Sequence, residues 1–328
     1  MEIKIIIVNY RTAKLVINCL TSLQNDIKYI GIDNCSIIVV DNDSKDNSDK
    51  IINEVIEISG WQNWASVMSL QQNGGFAIGN NAAIRSSLKT DNSPKYYLLL
   101  NPDTIIRPGA ITKLIEFMEQ HPTVGIAGSR LENPDGSPQR SAFRFHTILS
   151  EIDSGLRLGL VSKLLSRWIV APPVPEEACE TDWVAGASMI IRSEVFEQVG
   201  LMDESYFLYY EEVDFCLQAK KAGWNCWYVP ESRVVHLVGQ SSGINSSNVQ
   251  KKRLPKYWFE SRQRYFLKNY GYLYTITVDF VWIFCYTIWQ TRRLIQRKPY
   301  NDPPKFFVDF ISNSSLVIVN KLKNVLQV

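Results

Sequence analysis

Short apolar runs and amphipathic stretches alternate along the first 122 residues. "IKIIIVNY" (3–10) is a continuous run rich in isoleucine and valine, the mark of a buried strand. "AKLVINCLTSLQND" (13–26) then sets Leu15, Cys19, Leu20 and Leu23 at helical spacing. "CSIIVVDNDSKDNSDKIINEVIEI" (35–58) reads as strand, acidic turn and helix. "WASVMSLQQNGGFAIGNNAAIRSSL" (64–88) repeats that form with a Gly-rich turn. "KYYLLLNPD" (95–103) is the next strand, and "PGAITKLIEFMEQHP" (108–122) a helix closed by Pro122. Strands alternating with helices predict an α/β fold with a mostly parallel sheet flanked by helices. Such sheets bind ligands beyond the carboxyl ends of their strands.

The pattern changes after this. Residues 126–180 read as an insertion or flap: a turn-rich "ENPDGSPQ", an amphipathic helix pair in "ILSEIDSGLRLGLVSKLLSRW", and a stiff "APPVPEEA" connector. Strand and helix return in "WVAGASMIIRSEVFEQVG" (183–200). "FLYYEEVDFCLQAKKAG" (207–223) is a helix with acids in its first turn and Gly223 as its stop. "NCWYVPESRVVHLVGQSSG" (225–243) predicts strand, turn, strand and a flexible polar loop that ends near Ser247.

From 251 the character shifts. Residues 1–250 carry 21 Lys/Arg against 29 Asp/Glu, whereas 251–328 carry 14 against 4. The formal net charge of +2 therefore hides an acidic body and a basic, aromatic tail, which suits an anionic surface. No recognition motif for nucleic acid accompanies the charge. "YLYTITVDFVWIFCYTIW" (272–289) is near the shortest length that spans a bilayer. Asp279 and three threonines oppose spanning and favour a helix lying in the membrane interface; a core or dimer helix is the remaining placement. The six cysteines are scattered without a C-x-x-C, and "MEIKIIIVNY" carries no secretory pattern, so a reducing, cytoplasmic setting is expected.

Four constellations carry candidate chemistry. In "VVDNDSKDNSD", Asp41 ends a strand and can accept from a nucleobase or ribose, or merely cap a turn. In "NGGFAIGNNAAI", Gly74, Gly75 and Gly79 let the backbone approach a ligand, though the spacing matches neither G-x-G-x-x-G nor a Walker loop. In "LLLNPD", Asp103 follows a buried strand; a single carboxylate suffices for Mg²⁺ or Mn²⁺ when a diphosphate supplies other oxygens. In "YYEEVDFC", Glu211, Glu212 and Asp214 crowd one helix start, and His236, one of only three histidines, stands downstream at a strand end.

Taken in order, "IIIVNYR", "VVDNDSKDNS", "NGGFAIGNN", "YLLLNPD", "DWVAGASMIIRSEVFEQVGLMDE", "FLYYEEVDFCLQAKKAGW" and "VVHLVGQS" resemble the family 2 glycosyltransferases, above all their rhamnosyltransferase-like branch. The resemblance covers about residues 3–245. It implies a GT-A fold, with a Rossmann-like nucleotide half (1–125) and an acceptor and catalytic half (181–250), ahead of a helical tail (251–328) bound to membrane or to a second copy. It also implies inverting, metal-dependent hexosyl transfer, Mg²⁺ or Mn²⁺ being the cofactor. The donor would be a dTDP- or UDP-sugar, rhamnose from dTDP-rhamnose first. The acceptor would be a lipid-linked or oligosaccharide chain of an envelope polysaccharide, met at the inner face of the cytoplasmic membrane.

By the same resemblance Tyr10 and Asp41 hold the nucleobase, while Asn73, Gly74, Gly75, Phe76 and Asn80 line the nucleotide pocket. Asn101 approaches the ribose, and Asp103 touches the metal with help from His236. Trp183, Gly186 and Ala187 line the donor sugar and acceptor. Glu212 stands where the family has an aspartate base; Glu211 and Asp214 are its rivals. Two other functions stay open: nucleotidyl transfer, and a transferase-like binding module without catalysis.

Overall fold

The structure is a computed structural model that describes residues 2–88, 93–237 and 252–317. The polar loop expected from 238 onward lies outside the described residues. The chain divides into two compact units, one of Met1–Phe143, Pro173–Phe207 and Glu211–Ser246, the other of Arg144–Pro172, Leu208–Tyr210 and Ser247–Val328.

The first unit begins with β1 (Ile3–Asn9), α1 (Ala13–Ile30), β2 (Cys35–Asp41), α2 (Ser48–Ile58), β3 (Ala65–Ser69), α3 (Gly75–Arg85) and β4 (Tyr96–Leu100). These strands pair in the order β3-β2-β1-β4, all parallel, as the alternation predicts. β1 and β4 lie in the middle and are buried almost throughout, which is why their sequences run continuously apolar. α1 turns Val16, Cys19, Leu20, Leu23 and Ile27 inward; Val16 takes the buried place expected of Leu15.

The unit continues with β5 (Thr104–Ile106), α4 (Ala110–Gln120), β6 (Val124–Glu132) and β7 (Ala142–Phe143). Further along the chain come β8 (Cys179–Thr181), β9 (Trp183–Val184), β10 (Ser188–Arg192), α7 (Ser193–Val199), α8 (Glu211–Lys221) and β11 (Asn225–His236). β10 runs antiparallel to both β4 and β6, so the parallel half passes into a mixed one. The sequence reading placed 126–132 in an insertion, but these residues complete β6, a central strand with a single partly exposed position.

β11 also corrects an expectation. It is one strand and not strand, turn, strand: its register with β6 slips between Val229 and Arg233, at the segment containing Pro230, and pairing then resumes. A bulge absorbs the proline that cannot donate to the ladder. Beyond it β11 pairs antiparallel with β5 and sets His236 opposite Thr104.

The second unit contains α5 (Ile148–Leu156), α6 (Gly159–Leu164), α9 (Lys256–Ile295) and α10 (Phe306–Ser312). Thr147 and Ser150 form a reciprocal capping box that starts α5. Gly271, with φ 80 and ψ 175, breaks α9 into two helices. α5 packs on α9 at Gly155, where a Cβ would come within 2.8 Å of Cys285 Cβ. The apolar core of this unit is aromatic, built on Phe259, Trp282, Tyr286, Phe306 and Phe310. Beside it Arg262 donates to Asp279 and to Glu151, each at 2.6 Å, with all three side chains buried. Asp279 therefore points inward to a cation, and its other oxygen accepts from the backbone of Ser315 at 2.7 Å.

Candidate active site

The carboxyl ends of β1 and β2 meet in register, Asn9 opposite Asp41. Asn9 donates to Asp41 at 2.6 Å, and Ser44 donates to it through both hydroxyl (2.6 Å) and backbone N–H (3.0 Å). Asp41, expected to hold a nucleobase, is thus buried and committed on both oxygens to shaping the loop. Tyr10, beside it in the chain, is 38% exposed, with the Arg11 guanidinium 5.1 Å from its ring. Arg11, Asp43, Lys45 and Asn47 all have positive φ, so these two loops concentrate backbone strain at the strand ends.

The Gly-rich turn is locked onto the same loops. Asn42 donates to Asn73 Oδ1 (2.9 Å) and to Gly75 O (3.0 Å), and accepts from Gly74 N–H (3.1 Å). Gly75 has φ +82, and a Cβ there would fall 1.7 Å from Phe207 O. No side chain fits. Phe207 O also accepts from Phe76 N–H at 3.1 Å. Asn80 is buried, donates to Phe76 O at 2.9 Å, and keeps Oδ1 without a hydrogen-bond partner among the described residues.

On the other side, Asn101 N–H donates to Ala187 O at 3.0 Å, which ties the end of β4 to the turn before β10. A Cβ on Gly186 would lie 3.0 Å from Phe76 Cζ and 4.0 Å from Glu212 Cβ. Asn101, Ala187, Gly186, Phe76 and Glu212 are therefore contiguous. Trp183 stacks on Phe143, centroids 4.2 Å apart, on the small β7–β9 ribbon.

Asp103 is 1% exposed, and its Oδ1 stands 3.5 Å from His236 Nε2. Among the described residues no group of three His, Cys, Asp or Glu gathers as a metal site. One carboxylate and one imidazole still fit a divalent cation whose remaining ligands are phosphate oxygens and water. Cys19, near enough for Asp103's charge to bear on it, is kept as a thiol, its pKa pushed up to about 12 chiefly by burial.

Glu211 and Glu212 open α8, each with Oε2 buried and lacking a hydrogen-bond partner among the described residues. Burial, and then the charge of Glu212, raises the Glu211 pKa well above the ordinary carboxyl range. Burial brings that of Glu212 up to about 7. A carboxylate poised near neutrality is suited to taking a proton from a substrate hydroxyl. Asp214 is buried two positions beyond Glu212 and accepts weakly from Gln218, at 3.4 Å.

Asn9, Asn42 and Ser44 were missed in the sequence. The signal was available: they are polar residues at or just past strand ends, the same criterion that selects Asp41.

Comparison with known proteins gives the family. The model of glycosyl transferase family 2 matches residues 4–163, and that of glycosyl transferase family group 2 matches 96–316. The chain belongs to the family 2 glycosyltransferases. This glycosyltransferase is 32% identical over 156 residues to an N-acetylglucosaminyl-diphospho-decaprenol L-rhamnosyltransferase of Mycobacterium tuberculosis, covering 45% of this chain and 48% of that one. It is 29% identical over 227 residues to the low-salt glycan biosynthesis hexosyltransferase Agl10 of Haloferax volcanii, covering 68% and 63%. It is 28% identical over 166 residues to rhamnosyltransferase WbbL of Escherichia coli, covering 49% and 60%. The aligned parts thus span about half to under two thirds of those relatives' lengths. Among solved structures, the mannosyltransferase PcManGT of Pyrobaculum calidifontis, in complex with GDP-Man and Mn²⁺, superposes with TM-score 0.57 at 11% identity, covering all of this glycosyltransferase and 81% of that chain. GalNAc-T7 with UDP, GalNAc and Mn²⁺ gives 0.56 at 16%, covering 82% and 51%. These likenesses establish the GT-A fold.

Proposed function

We propose that this protein is an inverting, divalent-metal-dependent glycosyltransferase that moves a sugar from a nucleoside diphosphate donor to a lipid-linked or polysaccharide acceptor hydroxyl. One observation supports the reading: the Gly186–Ala187 turn is hydrogen-bonded to the strand end leading to Asp103 and lies beside Glu212 Cβ. This neighbourhood supports a donor and a base meeting at one site. The nucleobase lies against Tyr10, with Asp41 shaping the loop beneath it. Asn73 to Phe76 and Asn80 line the nucleotide, and Asn101 faces the ribose. Asp103 and His236 would hold Mg²⁺ or Mn²⁺, which when bound offsets the charge growing on the leaving diphosphate. Glu212 takes the acceptor's proton on the face opposite that leaving group. Its pKa of about 7 favours catalysis over an inactive binding module.

Rhamnose from dTDP-rhamnose is the first donor to test, because similar proteins are named rhamnosyltransferases, among them dTDP-rhamnosyl transferase RfbF of Shigella flexneri. A diphospho-polyprenol acceptor follows from the name of the mycobacterial relative. Beyond its break, α9 is long and apolar enough to cross a membrane. It nevertheless buries Asp279 and exposes Leu273, Phe280, Phe284 and Leu294 near Arg292 and Arg293. That one-sided face suits the interface of an anionic cytoplasmic leaflet. The deciding experiment is a thermal-shift screen of nucleotide sugars with and without Mn²⁺, followed by transfer assays on the donors that bind. The reading is lost if no nucleotide sugar binds or turns over.

A further inference from the structure

Three arginines of the sheet-bearing unit share one carboxylate. Glu132, at the end of β6, is fully buried; its Oε1 accepts from Arg107 Nε and its Oε2 from Arg233 Nε, each at 2.8 Å. Arg130 Nε stands 3.8 Å from the same Oε2. Burial works to raise the Glu132 pKa, but the arginines hold it below the ordinary carboxyl range. One such partner would neutralise the carboxylate, so three leave positive charge in excess and in mutual repulsion. Asp135, the acid in the turn that follows, is engaged by Ser137 through hydroxyl (2.6 Å) and backbone N–H (2.9 Å).

The arginine heads are anchored on one side and open on the other. Arg107 Nη2 donates to Pro134 O at 3.3 Å and Arg130 Nη2 to Gly136 O at 3.2 Å. The Nη1 group of each arginine makes no hydrogen bond among the described residues, and Arg130 Nε is buried without one. The side chains of Arg107, Arg130 and Arg233 remain 40%, 28% and 47% exposed. Forked donors held in place with free N–H groups suit phosphate oxygens. Along β6, Arg130 and Glu132 alternate onto the sheet face of Gly128, where Val184 of β9 packs, while Leu131 turns to the core it shares with α1. The cluster therefore lies on the side of β9 and the Gly186 turn. Arg233 precedes His236 by three residues on β11, about 10 Å along the strand. Gln139, from the same turn, holds His236 O at 2.8 Å. A second phosphate-bearing group can sit at the arginines without crowding a diphosphate held at Asp103 and His236.

We propose that Arg107, Arg130 and Arg233 bind the diphosphate of a lipid-linked acceptor, with Glu132 holding Arg107 and Arg233 in position. The proposal rests on reading the protein as a glycosyltransferase with such an acceptor.

The test uses the full chain stripped of divalent cations, so that no metal holds a diphosphate at Asp103, with geranyl diphosphate as the probe. Arg107→Gln and Arg233→Gln should each weaken its calorimetric affinity about tenfold, the scale of one hydrogen bond to a charged group. The melting temperature should hold within a few degrees, since Glu132 keeps its other arginine. Glu132→Gln adds one net positive charge and should tighten binding, whereas arginines that only tether the turn predict weaker or equal binding. In transfer assays with a sugar-diphosphate lipid, the two arginine variants should raise acceptor KM by a similar factor and leave donor KM unchanged. A wild-type chain that does not bind geranyl diphosphate overturns the proposal, and so does equal affinity in both arginine variants. Weaker calorimetric binding with unaltered acceptor KM would assign the arginines to free pyrophosphate and overturn the acceptor assignment. A wild-type chain that transfers no sugar defeats the functional reading, while calorimetry still decides whether the arginines hold a diphosphate.

Discussion

His236 Nε2 and Asp103 Oδ1 lie 3.5 Å apart although one residue ends β11 and the other precedes β5. The backbone enforces the spacing: Leu237 N–H donates to Asp103 O at 2.9 Å, and Gln139 holds His236 O at 2.8 Å. Asp103→Asn should weaken Mn²⁺-dependent donor binding beyond the roughly 10–100-fold that loss of a supporting partner costs a metal site. His236→Ala should weaken it less. Titration calorimetry with and without Mn²⁺ checks both; equal donor affinity in all three proteins would remove the metal from this pair.

Glu212→Gln should lower kcat by about 10²–10⁴-fold and leave donor affinity intact. Retained turnover would transfer the role to Glu211 or Asp214. The wild-type rate should rise with pH through about 7, as the base loses its proton. Stability runs the other way. The folded pKa of Glu212 lies above its ordinary 4.5, so folding favours the protonated form. The stability this group contributes is whole below about pH 4.5 and is lost as pH rises through about 7. Glu212→Gln should therefore stabilise the protein at pH 8 and do nothing at pH 4. Denaturant titrations at the two pH values test the sign.

Gly75→Ala meets a backbone oxygen at 1.7 Å and also carries an unfavourable φ of +82. Both the Gly75 turn and Phe207 would have to move, so a loss of more than about 2 kcal/mol is expected, with donor affinity falling alongside. A variant that melts and binds like the wild type would show that the turn is not fixed as described.

Much of this was legible in the sequence. The parallel half of the sheet followed from alternation, and most clearly at β1 and β4, which are buried on both faces. Asp41, Asp103 and the Glu211–Glu212 pair stood at strand or helix ends, where composition changes abruptly. Other features depend on contacts made far along the chain. β6 was hidden because "VGIAGSRLE" carries two glycines, one of which, Gly128, lies so close to Val184 that a Cβ would stand 2.5 Å from its Cβ. β11 was split in two on paper because Pro230 reads as a stop, whereas a bulge accommodates it. Tyr209 and Tyr210, with φ of 71 and 69, have no sequence signal for that left-handed backbone, since tyrosine is not a residue chosen for it.

Arg262→Met should cost about 3–5 kcal/mol, because Glu151 and Asp279 would remain buried without their shared cation. Replacing all three by apolar residues of similar volume should restore most of that loss. Urea unfolding of the single and triple variants distinguishes a mutually compensating network from three independent contributions.

Phe280→Asp with Phe284→Asp should reduce co-sedimentation with vesicles containing anionic phospholipid and leave the melting temperature within a few degrees, since both rings are more than half exposed. Arg292→Glu with Arg293→Glu should reduce the salt-sensitive part of binding, and neutral vesicles should bind weakly throughout. Unaltered sedimentation in both double variants, with self-association lost instead, would assign the face to a second copy.

The threading of the chain has a practical bearing. Arg144–Pro172 and Leu208–Tyr210 leave the sheet-bearing body to join the C-terminal helices and then return to it. No single cut separates the two units. Deleting everything after 250 would strip α5, Tyr209 and Tyr210 of their packing on α9, so a shortened protein that fails to transfer sugar says nothing about membrane attachment. Chimaeras that exchange acceptor preference between relatives would need to carry three segments together.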